Sequence, residues 1–237
     1  MRFAILDTAM IKELFPLLQL CDSNFPSGAF SHSFGLETYI QEQVITDTKS
    51  FSEAIIVYIE KQLVFVEGLV CRLAFEAVEQ NRMADLFELD QLLFAACLAE
   101  ETRIGNRRIG ERMAKLCAGL YPSPILDDYL DKIKEKQAYG HSALVFSIVA
   151  CHLQVGKETA TGAYLYGAVS SLIQNAVRGI PLGQTDGQKL LVNIQRLLKK
   201  AVRKILLLSK DDLGAVSPGL EIAQMRHERL HVRLFMS

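Results

Sequence analysis

At 237 residues with a formal net charge of −1, the chain is long enough to bury a substantial core and carries no global field toward nucleic acid or an anionic membrane. Half of its residues are hydrophobic against 22% charged, and a mean hydropathy of +0.18 is apolar for a soluble chain, an excess that usually meets a partner. Five scattered cysteines without a C-x-x-C pair argue against a zinc site, and with no signal-peptide pattern and no apolar run of membrane-spanning length they point to a cytoplasmic protein.

Residues before Met10 fit either a short strand or a mobile tail. Met10 to Leu20 reads as a short helix interrupted at Pro16. The following CDSNFPSGAFS is turn chemistry, with Asp22, Ser23 and Asn24 beside Pro26-Ser27-Gly28. Phe25 and Phe30 in this polar turn are either plugs in the chain's own core or anchors for a partner. A helix follows through Gly35 to about Gln43.

Ser50 and Glu53 form a capping box, and the helix they open repeats Ile55, Ile59, Leu63, Val66, Val70, Leu73 and Ala77 at steps of three and four. Leu86 to Leu120 is again helical, with a discontinuity near Gly105 and Gly110. Pro122 and Pro124 break the chain, Ser123 or Asp127 caps the next segment to Lys136, and His141 to Leu153 is an apolar core helix.

Ala160 to Gly179 carries Tyr164, Leu165, Val169, Leu172, Ile173, Ala176 and Val177 on one side and small, nearly uncharged residues on the others. A helix without a charged face belongs inside a bundle. It stops where Gly179 weakens it, Ile180 is pushed to extended backbone, and Pro181 cannot continue the ladder. Thr185 as N-cap with Gln188 at N3 then starts a helix with an apolar stripe from Leu190 to Leu206 and a basic face of Lys189, Arg196, Lys199, Lys200, Arg203 and Lys204. Ser217 as N-cap and Pro218 at N1 open the last helix, which runs into an exposed tail, Arg233 to Ser237. The architecture expected is all-α, a single-domain helical bundle built around a buried central helix and covering residues 1–237.

Three patterns invite catalytic readings. His227-Glu228-Arg229-Leu230-His231 fits H-E-x-x-H, but no His, Asp or Glu follows to complete a zinc site, so a polar partner-facing helix or a transient contact of paired imidazoles with Ni²⁺ competes with a metallohydrolase. Gly105 to Arg112 has P-loop glycine spacing, yet Glu111 stands where lysine must meet phosphate. His32, His141 and His152 read as hydrogen-bonded structural residues. The basic face is either solvated, the contact for an acidic protein, or the element of a helical nucleic-acid-binding regulator. Arg178 either bonds the last carbonyls of its helix or points outward to a partner, and Gln184 and Gln188 serve capping first and recognition second. No catalytic residue is assigned.

Three ordered stretches, FPSGAFSHSFGLE from Phe25 to Glu37, AVRGIPLGQTDGQ from Ala176 to Gln188, and SPGLEIAQMRHERLHVRLFMS from Ser217 to Ser237, together resemble the urease accessory protein F (UreF) family. Arg103 and Gly110 match a further family pattern, while Asn106, Ser147, His231 and Met236 depart from it. The resemblance implies a non-catalytic, homodimeric maturation factor without an intrinsic cofactor. Such a factor binds a UreD/UreH-type partner, recruits the GTPase UreG to apo-urease and supports transfer of Ni²⁺ within the complex. It places partner contacts at Phe25, Phe30, His32 and Glu37, at Arg178, Gln184 and Gln188, and in a C-terminal partner-binding tail with Arg226, His227, Arg229, Arg233 and Phe235.

Overall fold

Apolar positions spaced three and four apart become helices along the whole chain. The computed structural model describes residues 7–180, 182–214 and 217–237. Of the strand or tail expected before Met10, residues 1–6 lie outside the described residues, as does the helix-breaking Pro181, while Asp7 to Ala9 belong to the first helix instead. In order, the helices are α1 Asp7–Cys21, α2 Leu36–Gln41, α3 Thr48–Val57, α4 Glu67–Glu79, α5 Met83–Ala96, α6 Glu100–Leu120, α7 Pro124–Lys134, α8 Ser142–His152, α9 Lys157–Gly179, α10 Gln184–Leu207 and α11 Pro218–His227. No strand occurs among the described residues, and none of their helices is long and apolar enough to cross a membrane.

The helix without an exposed face is α8. Every residue from Ala143 to Ala150 is buried, and α8 packs against α4, α6 and α9. Each fully buried Leu or Ile there is worth roughly 1.5–3 kcal/mol of transfer free energy. His141 caps it, its Nδ1 accepting the Ala143 N–H at 3.1 Å. Ser147, the lone polar residue of its middle, lies 2.7 Å from both the Ala143 and Cys71 carbonyls, so α8 meets α4 without an unpartnered hydroxyl. α9, expected at the centre, packs against α1, α4, α8 and α10: Leu165, Val169, Leu172 and Ile173 are buried, while Ala163, Gly167, Ala168, Ser170 and Ser171 are half-buried and Tyr166 is exposed. An uncharged face marks close packing of helices, and α1 supplies that packing on α9's outer side.

Several expected boundaries move. α1 runs through Pro16 without a break, because buried Leu17 and Leu20 hold it to the core. Asp47, not Ser50, caps α3: Asp47 Oδ1 accepts the Ser50 N–H at 2.8 Å, and Ser50 Oγ accepts the Asp47 N–H at 3.1 Å. The long helix expected from Ser50 to Ala77 is divided by a π-helical turn, Tyr58–Leu63, and by Val66 at φ −122°, ψ −94°. Ile55, Ile59 and Leu63 step by four twice in succession, and the wider turn absorbs the extra residue while keeping all three buried. The discontinuity expected at Gly105 and Gly110 falls earlier, at Cys97–Ala99, and α6 is continuous. Its glycines serve contact instead. A Cβ on Gly110 would lie 2.6 Å from the His141 backbone, and one on Gly105 would lie 2.8 Å from the His32 ring. α10 begins at Gln184 behind Gly183, not at a Thr185 cap. α11 starts at Ser217-Pro218 as expected.

Candidate partner-docking site

Residues 25–37, the end of α9 and the segment after α11 meet in one place. The turn after α1 is pinned by glycine at φ 91° (Gly28) and a short 3₁₀ turn, Ala29–Ser31. This geometry presents the carbonyls of Phe30 and His32 to α9. Asn175 Nδ2 donates to the His32 carbonyl at 2.7 Å, and Arg178 Nη2 donates to the Phe30 carbonyl at 2.7 Å and to Asn175 Oδ1 at 2.6 Å. The Arg178 guanidinium carbon also lies 3.6 Å from the Phe30 ring centroid and 5.2 Å from that of Phe235. Arg178 therefore bonds neither its own last carbonyls nor solvent alone. It clamps the turn and the tail together while staying exposed.

The tail enters this arrangement in alternation. Phe235 and Ser237 are buried, whereas Arg233, Leu234 and Met236 are exposed, a correction to the wholly exposed tail expected. The Met236 N–H donates to the Ser31 carbonyl at 2.7 Å, Ser33 Oγ donates to the Ser237 main-chain oxygen at 2.9 Å, and His32 Nδ1 lies 2.6 Å from Ser237 Oγ. Burial pulls the His32 imidazole down to about 4, so it meets Ser237 as a neutral ring.

Glu37 anchors the other end. It is buried in α2, where its Oε1 accepts the Leu234 N–H at 2.6 Å and its Oε2 accepts the Phe235 N–H at 3.1 Å. Its Oε2 also lies 2.8 Å from His227 Nε2, and His227 Nδ1 lies 2.7 Å from Glu101 Oε2. Glu101, in the first turn of α6, pairs as well with Arg233 at 2.6 Å. One chain of contacts thus runs Arg233, Glu101, His227, Glu37, tail backbone. It settles the H-E-x-x-H pattern: both His227 nitrogens are taken, α11 ends at His227, and exposed His231 lies beyond it, so the two imidazoles share no helical face. No group of three or more metal-ligating side chains is arranged to hold an ion among the described residues.

Beside the tail opens a cleft of about 580 Å³ lined by His32, Glu100, Glu101, Arg108, Arg233 and Phe235, among others. Phe25 is half-buried against the core, and Phe30 is exposed beneath Arg178. Arg226 is exposed and pairs with Glu42 at 3.1 Å, and Arg229 is exposed as well. Gln184 and Gln188 are exposed on the first turns of α10, outside the clamp's hydrogen bonds. Two members were missed in the sequence. Asn175 stands three residues before Arg178 as a polar interruption of an apolar face, which is a local signal. Glu101 has none, since its partners lie 126 and 132 residues away.

Comparison with known proteins gives these segments a common context. The UreF family model matches residues 45–195. The chain is 70% identical over 227 residues to the urease accessory protein UreF of Bacillus sp. (strain TB-90), covering 96% of this chain and 100% of that one. The chain belongs to the UreF family. Proteins of the same name from Geobacillus kaustophilus (strain HTA426) and Lachnoclostridium phytofermentans (strain ATCC 700394 / DSM 18823 / ISDg) are 54% and 51% identical, over 95% and 93% of this chain and 99% and 97% of theirs. UreF proteins are accessory proteins rather than enzymes, in keeping with the non-catalytic reading.

Proposed function

We propose that this UreF-family chain is an adaptor in urease maturation. It binds a UreD/UreH-type accessory protein, recruits the GTPase UreG to apo-urease, and supports GTP-dependent delivery of Ni²⁺ to the urease active site, working as a homodimer in the cytoplasm. Nickel is cargo of the assembly rather than a resident cofactor. The observation that supports this reading best is a surface whose backbone is pinned while its outward apolar side chains stand in water. On α11, Ile222, Met225 and Arg226 are exposed at helical spacing, Arg229 is exposed just past the helix end, and Val232, Leu234 and Met236 continue the apolar exposure along the tail. Apolar side chains held rigidly in water, with arginines among them, are what a binding partner buries at low entropic cost.

In this reading Phe30, Arg226, Arg229 and Arg233 touch a partner, while Phe25, His32, Glu37, His227 and Phe235 hold the surface in shape. Arg178 does both. Exposed Gln184 and Gln188 offer hydrogen bonds at the neighbouring turn. The test is co-expression with a UreD-type partner, the GTPase and apo-urease, followed by size-exclusion chromatography and a urease assay with added nickel. Co-elution and activation only when the full chain is present are expected. A well-folded chain that elutes alone, with urease activated equally in its absence, contradicts the proposal.

A further inference from the structure

Five cations on α10 stand without an anionic partner among the described residues. Arg196, Lys199, Lys200, Arg203 and Lys204 are exposed and enter none of the ion pairs among the described residues. Their spacing of i, i+3, i+4, i+7 and i+8 sets them in one stripe opposite the buried Leu191, Ile194, Leu198, Val202 and Ile205. Several lysines elsewhere are neutralised locally, as in Lys115 with Glu111, Lys134 with Asp131 and Lys189 with Asp186. No Asp or Glu occurs between Gly187 and Ser209. Like charges at i, i+4 each cost the helix a few tenths of a kcal/mol, and here the pairs 196/200, 199/203 and 200/204 stand together. One local relief is present: Lys204 Nζ lies 4.3 Å from the Phe65 ring centroid. The stripe also has apolar ends. Val192, 62% exposed, precedes it by one turn, and Leu207, 88% exposed, closes it.

We propose that this stripe docks an acidic amphipathic segment of a partner protein. Carboxylates at helical spacing oppose the cations, and an apolar side chain at each end covers Val192 and Leu207. From Val192 to Leu207 the span is 16 residues, rising about 1.5 Å at each step, or some four helical turns. The apolar ends favour protein over a phosphate backbone, which has nothing to set against Leu207. The whole chain carries a net charge of −1, so the long-range attraction that drives nucleic-acid and membrane association is missing. This surface is separate from the clamped tail, and the inference stands whether or not the adaptor reading does.

The experiment measures fluorescence anisotropy of a labelled helical peptide of about four turns, with Glu at i, i+3 and i+4 spacing and Leu at each end, titrated with the full chain. A peptide carrying Gln for Glu, a double-stranded DNA oligonucleotide and phosphatidylserine vesicles are titrated in parallel. Binding to the acidic peptide that weakens with salt and falls at least about tenfold in Lys199→Glu/Lys200→Glu/Arg203→Glu is expected. The charge-matched control Lys115→Glu/Lys132→Glu/Lys134→Glu stays within about twofold. The neutral triple Lys199→Gln/Lys200→Gln/Arg203→Gln, compared by circular dichroism, shows an intermediate loss with the fold intact. Absence of binding to the acidic peptide, an equal loss in the control triple, or tighter binding to the DNA or the vesicles overturns the proposal.

Discussion

His227 Nε2 lies 2.8 Å from Glu37 Oε2 with both side chains buried, and the same carboxylate takes the main-chain N–H groups of Leu234 and Phe235. A single residue of α2 therefore fixes both the end of α11 and the path of the chain after it. Removing one member of a buried, hydrogen-bonded set leaves the others desolvated and unsatisfied. Glu37→Ala is expected to cost about 3–5 kcal/mol by urea denaturation and to speed proteolysis after His227. Equal protease resistance in the variant is the contrary result.

Arg178 and Phe30 form a second clamp at the surface. Arg178→Lys keeps the charge but loses the planar group that stacks on Phe30 while bonding its carbonyl. A double-mutant cycle of Arg178→Lys with Phe30→Leu, read from urea midpoints, should give a coupling of about 0.5–1 kcal/mol. Additive losses would show that the stack contributes nothing.

The sequence carried the periodic features well and the crossing contacts poorly. The apolar stripe of α10 and the Ser217-Pro218 start of α11 are local patterns, and both survive folding unchanged. The Ser50-Glu53 box and the Asp47-Ser50 box are equally legible as strings; the backbone at Asp47, φ −151° and ψ 178°, decides between them. Burial order among apolar helices was not legible either. α8 and α9 both lack a charged face, and what distinguishes them is length: the 11-residue α8 is enclosed on all sides from Ala143 to Ala150, whereas the 23 residues of α9 run out of the core and leave Tyr166 and Arg178 exposed. The role of Glu101 depends wholly on α11 folding back onto α6, which no spacing rule encodes.

Glu67 lines a pocket of about 110 Å³ together with Tyr58, Asn106 and His141, and its Oε2 has no hydrogen-bond partner among the described residues. Burial raises its carboxyl to about 7. Between its ordinary 4.5 and about 7, the folded chain holds a proton that the unfolded chain releases, so stability from this group falls as pH rises through that window. Glu67→Gln keeps the Gln62 contact without the charge. It should raise stability by on the order of 2 kcal/mol at pH 8, a few degrees in Tm, and leave it nearly unchanged at pH 4. A uniform shift at both pH values would contradict this.

Two glycines of α6 predict opposite outcomes. A Cβ on Gly119 would meet nothing within 4 Å among the described residues, so Gly119→Ala should stabilise by about 0.5–1 kcal/mol through helix propensity. Gly110 faces the His141 and Gly140 backbone at 2.6–2.7 Å, so Gly110→Ala must push α6 from the cap of α8, at a cost of about 1–3 kcal/mol. Thermal unfolding of the two variants decides the matter, and equal Tm values would deny the close helix approach.

The central claim is that the outward side chains of α11 and the tail, not the fold they rest on, bind the partner. Its most direct test is Arg229→Glu/Leu234→Glu/Met236→Glu, which alters three exposed residues and leaves buried Phe235, Ser237, His227 and Glu37 in place. The measurement is size-exclusion chromatography of the variant co-expressed with a UreD-type partner, with thermal unfolding in parallel. The account predicts an unchanged Tm and loss of the complex; an intact complex at the wild-type elution volume would contradict it.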